Sequence, residues 1–115
     1  MRGVNYMQVK TVHYDSTKLV KDNPELLKEF KEKISISNIL YLFFKDNECL
    51  YIGETAPSLK ARCYQHTPKE SESAWFIEGN RIHIIQLDDN IDKIARGTLE
   101  STFILAYRPK YNKKA

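Results

Sequence analysis

Residues 39–53 read ILYLFFKDNECLYIG, and this stretch decides the fold of the chain. The segment from Ile39 to Phe44 is an unbroken run of aliphatic and aromatic side chains, which is typical of a buried strand. The polar run Lys45-Asp46-Asn47-Glu48 favours a turn. The segment from Leu50 to Gly53 predicts a second strand, so the two segments are expected to form an antiparallel hairpin.

The length of the turn decides which side chains of the hairpin share a face, because successive residues of a strand point to opposite faces. A two-residue turn at Asp46-Asn47 places Tyr41 opposite Ile52 and puts Tyr51 on the other face. A three-residue turn at 45–47, which wants a left-handed residue at its last position, places Tyr41 opposite Tyr51. We predict the three-residue turn, or an equivalent bulge, with both tyrosine rings on one face.

Two helices and a polar loop are predicted around the hairpin. Asn23-Pro24-Glu25 marks the start of the first helix, since Asn caps, Pro suits the first position and Glu faces the positive end of the helix dipole. Its buried stripe is expected to consist of Leu26, Leu27, Phe30 and Ile34. A second helix is expected from the entry cluster 55–58 to about His66, followed by a polar loop at 67–73.

The C-terminal part of the chain predicts one strand and one long helix. Residues 81–87 alternate in the manner of a strand. Asp88-Asp89-Asn90 is expected to cap a helix from about Ile91 to Tyr107, which Pro109 stops. The short apolar piece 74–77 does not decide between helix and strand.

These elements predict an α/β fold with a small central antiparallel sheet of three strands, flanked by helices. The sheet is expected to use residues 38–44, 49–53 and 81–87. Residues 1–37 are interpreted as an N-terminal extension with one helix, packed on the same domain, and 38–115 as the core. A short strand at 9–14 is left open.

Composition excludes several classes of protein. The chain has 115 residues, of which 42% are hydrophobic, and this suits one globular domain with a real core. Cys49 and Cys63 form neither a disulfide framework nor a metal-binding cluster. No apolar run approaches the ~20 residues that span a bilayer, and residues 1–6 lack a signal core, so no membrane partner and a cytoplasmic location are expected. The net charge of +3 permits a polyanionic partner without requiring one.

Polar side chains in three separate segments form a candidate active site. The first segment carries Tyr41 and then Tyr51-Ile52-Gly53-Glu54-Thr55. The next helix carries Arg62 and His66, which share a face at spacing i and i+4, while Leu59 and Cys63 form its packing stripe. Glu100 lies on the last helix, with Asn112 beyond Pro109.

In this order the chain resembles the GIY-YIG nuclease family over about residues 38–112. That family has a Tyr-bearing strand, a Tyr-Ile-Gly strand, a helix with Arg and often His, a later Glu, and an Asn beyond a Pro. The first motif departs from the family pattern, because it reads Ile39-Leu40-Tyr41 and its Gly is replaced by Ile. The resemblance implies a GIY-YIG-like fold and a metal-dependent endonuclease that hydrolyses phosphodiester bonds of DNA.

The resemblance also implies a role for each residue. Tyr41 is expected to activate the nucleophile, Tyr51 to position phosphate or water, and His66 to relay a proton or hold phosphate. Arg62 supplies a planar cation that matches a phosphate. Glu100 is expected to hold one divalent metal ion, Mg²⁺ or Mn²⁺, as its single protein ligand. Gly53, Thr55, Lys60 and Asn112 are expected to bind substrate or to support the site.

Each residue has an alternative interpretation without catalysis. A Tyr in a strand often serves packing, and Arg62 on a helix is often only solvated. Glu100 follows Arg96 by four residues, so the two could form a weak surface pair. The alternative function is a catalytically silent module on the same fold that binds nucleic acid or protein. Specificity is left open, with a partner protein or a homo-oligomer as its expected source.

Overall fold

The predicted hairpin lies in a four-stranded antiparallel sheet in the computed structural model, which describes residues 8–64 and 70–112. The strands run in the spatial order β1-β4-β2-β3. Their bounds are β1 Gln8–His13, β2 Ile39–Lys45, β3 Glu48–Thr55 and β4 Arg81–Gln86. The α/β class with an antiparallel sheet is confirmed, but the expected number of three strands is wrong.

The additional strand is β1, which pairs with β4 at the edge of the sheet. Its register runs from Gln8 opposite Gln86 to His13 opposite Arg81. Val12 is its one buried residue. An edge strand that buries so little has a weak apolar pattern, which explains why the sequence left the segment open.

The turn of the hairpin has two residues, so the predicted three-residue turn is wrong. Lys45 pairs with Glu48, and the left-handed residue is Asp46 with φ 53° rather than Asn47. Asp and Asn both tolerate this conformation, so the sequence could not separate them.

A register shift between Phe43 and Phe44 nevertheless brings the two tyrosines to one face. Phe43 lies opposite Tyr51 and Phe44 opposite Cys49, so β3 carries one extra residue between them. This is the geometry of a β-bulge. Tyr41 therefore lies opposite Gly53 rather than Tyr51, but both tyrosines share a face with ring centroids 6.3 Å apart. The prediction of a bulge with both rings on one face is confirmed.

Three helices cover the face that carries the tyrosines: α1 Pro24–Lys33, α2 Leu59–Tyr64 and α3 Ala74–Glu78. The first helix begins as predicted, with Asn23 at its N-cap. Its buried stripe is narrower than expected, because Phe30 and Ile34 are buried while Leu26 is 41% exposed. Residues 70–72 form a short 3₁₀ helix, so the predicted loop is wrong there. Residues 65–69 lie outside the described part of the chain.

The opposite face is covered by α4, Lys93–Tyr107. The helix begins two residues later than predicted, and its cap is Asp92, whose side chain accepts a hydrogen bond from the backbone N–H of Ala95 at 2.9 Å. It ends at Tyr107 as predicted, because Arg108 turns into the left-handed region at φ 49°. None of the helices described is long and apolar enough to cross a membrane.

Candidate active site

Tyr41 lies in the middle of β2 with its side chain completely buried. Its hydroxyl donates a hydrogen bond to Oε1 of Glu70 at 3.0 Å. The ring lies directly over Gly53, and a Cβ at that position would overlap the ring and the hydroxyl. Glycine is thus required at position 53, because the Tyr41 ring packs directly against the backbone of β3 there.

Gly53→Ala is expected to destabilise the fold by ~1–3 kcal/mol, the usual cost of forcing an extra methyl group into a packed core. The methyl group has to displace the Tyr41 ring. Gly97→Ala is the matched control, because nothing lies within 4 Å of a Cβ built at Gly97 on α4. Urea unfolding of both variants measures the effect, and an unchanged free energy of unfolding for Gly53→Ala would contradict the packing seen here.

Tyr51 lies beside Tyr41 and stacks on Trp75 of α3, with centroids 4.2 Å apart and ring planes 5° apart. Sequence reasoning did not assign Trp75, because the piece 74–77 is too short to show a period. The stack holds the half-buried Tyr51 ring in one orientation. Since Trp75 is the single tryptophan of the chain, its fluorescence reports on this part of the site.

Arg62 projects from α2, which is anchored by the buried side chains of Leu59 and Cys63. Its Nε and Nη2 atoms donate to Oε2 of Glu70 at 2.9 and 2.5 Å. The guanidinium therefore belongs to the same cluster as Tyr41 and is not simply solvated, although its side chain is 44% exposed. Burial raises the pKa of the Cys63 thiol, which agrees with a core residue rather than a nucleophile.

Glu70 is the residue of this cluster that sequence reasoning missed. Its carboxylate joins the Tyr41 hydroxyl to the Arg62 guanidinium, and its side chain is 17% exposed. The residue stands in a polar run whose side chains all suit a solvated loop. Nothing in its spacing from Tyr41 or Arg62 could have singled it out.

Glu100 lies on α4 and comes to the candidate site at the outer edge of β3. Its position follows from Arg96, one helical turn earlier on the same face. Arg96 is buried and donates to Oε1 of Glu54 at 2.6 Å and to Oδ1 of Asn38 at 2.9 Å. The alternative of an Arg96–Glu100 surface pair is therefore wrong, since Arg96 binds across to β3 and holds the helix there.

The electrostatic surroundings of Glu100 favour a cation. Burial raises the pKa of its carboxyl, the nearby negative charge of Glu54 raises it further, and Arg62 opposes the rise. Among residues 8–64 and 70–112, no side chain is close enough to Glu100 to form an ion pair or a side-chain hydrogen bond with it. Burial makes the charged form of a carboxylate costly, and a cation close to it offsets that cost.

The donor set fits a hydrated divalent cation better than a cation enclosed by protein. Within the described ranges no group of three or more His, Cys, Asp or Glu side chains could hold a metal ion. Mg²⁺ characteristically keeps several waters and takes one or two carboxylates plus substrate phosphates. Glu100 as a single protein ligand agrees with that chemistry.

The surroundings of Tyr41 and Tyr51 favour the protonated form of both phenols. Burial and then the charge of Glu70 raise the pKa of Tyr41 well above 10. The pKa of Tyr51 is raised by burial, by Glu70 and by Glu100, whereas Arg62 lowers it. Tyr51 thus lies within electrostatic reach of both Arg62 and Glu100, which connects the two sides of the site.

Asn112 closes the outer edge of β3 through its side-chain amide. It accepts from the backbone N–H of Ile52 at 2.9 Å and donates to the Ile52 carbonyl at 2.9 Å. The backbone N–H groups of Lys110 and Tyr111 add bonds to Cys49 and Leu50. The residue therefore holds the strand that carries Tyr51, and it lies beside the site as a support.

The remaining candidates do not all face the site. Thr55 is buried at the end of β3. Lys60 lines a groove between α1 and α2 of about 430 Å³ together with Lys21, Lys28 and Lys31. His66 falls in 65–69, outside the described residues. The structure thus brings together Tyr41, Tyr51, Arg62 and Glu70, with Glu100 at the adjoining strand edge.

Comparison with known proteins finds similarity in both sequence and fold. The family model described as the GIY-YIG catalytic domain matches residues 37–112. The UvrABC system protein C of Fervidobacterium nodosum is 35% identical over 83 residues, which are 70% of this chain and 14% of that protein. The chain therefore spans a small part of that relative's length.

A solved structure shows the same fold. It is the GIY-YIG N-terminal endonuclease domain of UvrC from Thermotoga maritima, a tyrosine-to-phenylalanine point mutant bound to its catalytic divalent cation. The TM-score is 0.60 at 22% sequence identity, and the match covers 78% of this chain and 98% of that one.

Proposed function

This chain belongs to the GIY-YIG nuclease family, and from that premise we propose that it is an endonuclease that hydrolyses DNA phosphodiester bonds with one divalent metal ion. The observation that carries the proposal is the convergence of Tyr41, Tyr51 and Arg62 on one face of the sheet, with Glu100 at the edge of β3. These groups supply a hydroxyl, a planar cation and a carboxylate within one small region. Phosphodiester hydrolysis needs these functions together.

Glu100 is proposed to hold the cation, Mg²⁺ or Mn²⁺, through its carboxylate. When bound, such an ion shields the phosphate and lowers the pKa of a coordinated water. The raised pKa of Glu100 also makes cation binding compete with protons, so affinity should weaken as pH falls through that pKa.

Arg62 is proposed to bind the scissile phosphate, because its fork of N–H donors already holds a carboxylate of similar shape. Tyr51, fixed by its stack on Trp75, orients phosphate or water beside it. Tyr41 is proposed to accept the proton of the attacking water, and His66 to relay a proton or hold phosphate. Asn112 and Gly53 support these groups, and the cytoplasm is the proposed location.

The groove between α1 and α2 is proposed to follow the DNA backbone away from the site. The charged residues that line it are four lysines and one glutamate, Glu32. Lys60 and Arg62 stand two residues apart on the same short helix, so the groove begins on the other side of α2 from the candidate site. A row of lysines along such a groove gives sequence-independent affinity for phosphates.

We expect that changing Lys28, Lys31 and Lys60 to Gln together makes the binding less sensitive to salt. The slope of log affinity against log salt concentration should become less negative by roughly 2–3, at ~0.9 for each lost phosphate contact. Cleavage at saturating DNA should change little. The same charge change at the exposed Lys10, Lys18 and Lys93 is the control. Fluorescence anisotropy with labelled duplex DNA at several salt concentrations measures it, and equal slopes for both triple variants would remove the groove from the DNA path.

One observation favours the alternative of a catalytically silent binding module. Nε and Nη2 of Arg62 and the Tyr41 hydroxyl already donate hydrogen bonds to Glu70. A protein that only binds a partner could keep them that way.

Incubation with Mg²⁺ or Mn²⁺ separates the two functions. Branched, nicked, single-stranded and duplex DNA serve as substrates, each with and without EDTA. We expect products in at least one case, abolished by EDTA. DNA binding without products under every condition would support the silent module instead.

A further inference from the structure

Glu70 connects the two groups on which the proposed hydrolysis most depends. Three donor hydrogens converge on its carboxylate: that of Tyr41 at Oε1, and those of Arg62 Nε and Nη2 at Oε2. With its side chain 17% exposed, the carboxylate is held between a completely buried phenol and a half-exposed guanidinium. It is therefore fixed from both sides.

The hydrogen bond to Glu70 also fixes which way the Tyr41 hydroxyl points. Because the hydrogen points at Oε1, the lone pairs of Oη point away from Glu70, where they can accept a hydrogen bond. This is the arrangement in which a third group orients a base for its partner. Glu70 Oε1 accepts the hydrogen bond of this hydroxyl at 3.0 Å.

Tyr41 cannot act as a base by being a phenolate at neutral pH. Burial comes first among the causes that raise its pKa well above 10, and the charge of Glu70 comes second. A protonated phenol can take up a proton from water only if it gives up its own at the same time. The acceptor for that second proton has to be in hydrogen-bond contact already, and the Glu70 carboxylate is.

We propose, on the basis of the proposed nuclease function, that Glu70 is a positioning residue that aligns the Tyr41 hydroxyl and takes up its proton when the attacking water is activated. The water O–H bond breaks as its oxygen bonds to phosphorus, and that proton goes to Tyr41 Oη. The proton of Tyr41 moves to Glu70 Oε1. The P–O ester bond breaks, its electron pair stays on the leaving oxygen, and that oxygen takes a proton from solvent. Glu70 then returns its proton to solvent.

The same step changes the state of Arg62. While Glu70 is ionised, it holds the guanidinium through a charge-assisted pair of hydrogen bonds. A protonated Glu70 has no charge and attracts Arg62 much less. Arg62 is thereby released toward the phosphate as negative charge develops there. Proton transfer and phosphate stabilisation are coupled through one side chain.

Steady-state cleavage by the full chain and its variants tests the proposal. Glu70→Gln keeps the size and an oxygen that accepts from Tyr41, but it is not basic enough to take the proton. We expect kcat to fall ~10²–10⁴-fold, the usual contribution of a positioned acid–base group, with KM changed only a few-fold. Glu70→Asp should recover at least roughly 10-fold of that loss. Glu72→Gln, at an exposed position of the same 3₁₀ helix, is the control and should behave as the parent.

A double variant distinguishes the relay from a structural role. Tyr41→Phe removes the same relay, so adding Glu70→Gln to it should cost little more than Tyr41→Phe alone. Additive losses would overturn the proposal, as would a Glu70→Gln variant with a kcat at or above the parent value, which would make Glu70 only a competitor for Arg62. If Glu70→Gln does not fold, the same comparison is made with Glu70→Asp, whose smaller loss should disappear in the Tyr41→Phe background.

The parent protein separates this proposal from the one on which it rests. A parent that cleaves DNA, together with a Glu70→Gln variant that cleaves equally well, overturns the relay alone. A parent that cleaves no DNA with any divalent metal overturns the nuclease function, and the relay falls with it.

Discussion

Replacing Glu100 with Gln is expected to abolish DNA cleavage at every practical Mg²⁺ concentration. Gln keeps the size and some hydrogen bonding but lacks the charge that attracts a hard cation. DNA affinity should stay the same or rise, because a negative charge beside the phosphate is removed. Gel-resolved cleavage and anisotropy binding on the same preparations measure both quantities.

The fold of the Glu100→Gln variant should be at least as stable as that of the parent. Because burial and Glu54 raise the pKa of Glu100, the folded state binds a proton there more readily than the unfolded chain does. Ionised Glu100 therefore costs stability above its raised pKa, and this cost shrinks as pH falls below that pKa and is gone below the ordinary pKa of a free carboxyl. Gln removes the cost at neutral pH. Glu29→Gln at an exposed position of α1 is the matched control, and a Glu100→Gln variant that cleaves like it would remove Glu100 from the metal site.

Replacing Arg62 with Lys is expected to lower kcat by ~10²-fold or more, as the loss of a preorganised donor to the transition state does. Lys keeps the positive charge but loses the planar fork that now meets Glu70 with two nitrogen atoms. DNA affinity should change much less, because long-range attraction depends on charge. Single-turnover cleavage at saturating protein measures the chemical step.

Arg108→Lys is the control for that substitution, since Arg108 is exposed in the turn after α4 and its backbone conformation costs Lys as much as Arg. Near-normal turnover for Arg62→Lys would return Arg62 to the interpretation of a solvated surface residue. A loss shared by both variants would point to an effect of the substitution type rather than of the site.

The hairpin could be predicted from sequence because its signals are local. An apolar run, a polar turn and a second run lie within fifteen consecutive residues. The bulge between Phe43 and Phe44 was foreseen only as an alternative, since it depends on how both faces of β2 pack. The first strand escaped because an edge strand with one buried residue carries almost no periodic signal.

The same division between local and distant information applies to the candidate site. Tyr41, Tyr51 and Arg62 stand in or beside elements that a motif can mark. Glu70 depends on the path of the chain between α2 and α3, which no spacing encodes. Helical spacing suggests a pair between Arg96 and Glu100. In the structure Arg96 instead donates to Glu54, which lies 42 residues away in the sequence and which no local pattern marks as its partner.

Cleavage of one labelled DNA substrate by the parent and by Glu100→Gln, across a titration of Mg²⁺ with an EDTA control, is the most direct measurement. We expect the parent to give products that increase with Mg²⁺ and vanish with EDTA. The variant should bind the same DNA equally well or more tightly and give no product. Equal cleavage by both proteins, or no cleavage by the parent with Mg²⁺ or Mn²⁺, would contradict a metal-dependent nuclease centred on Glu100.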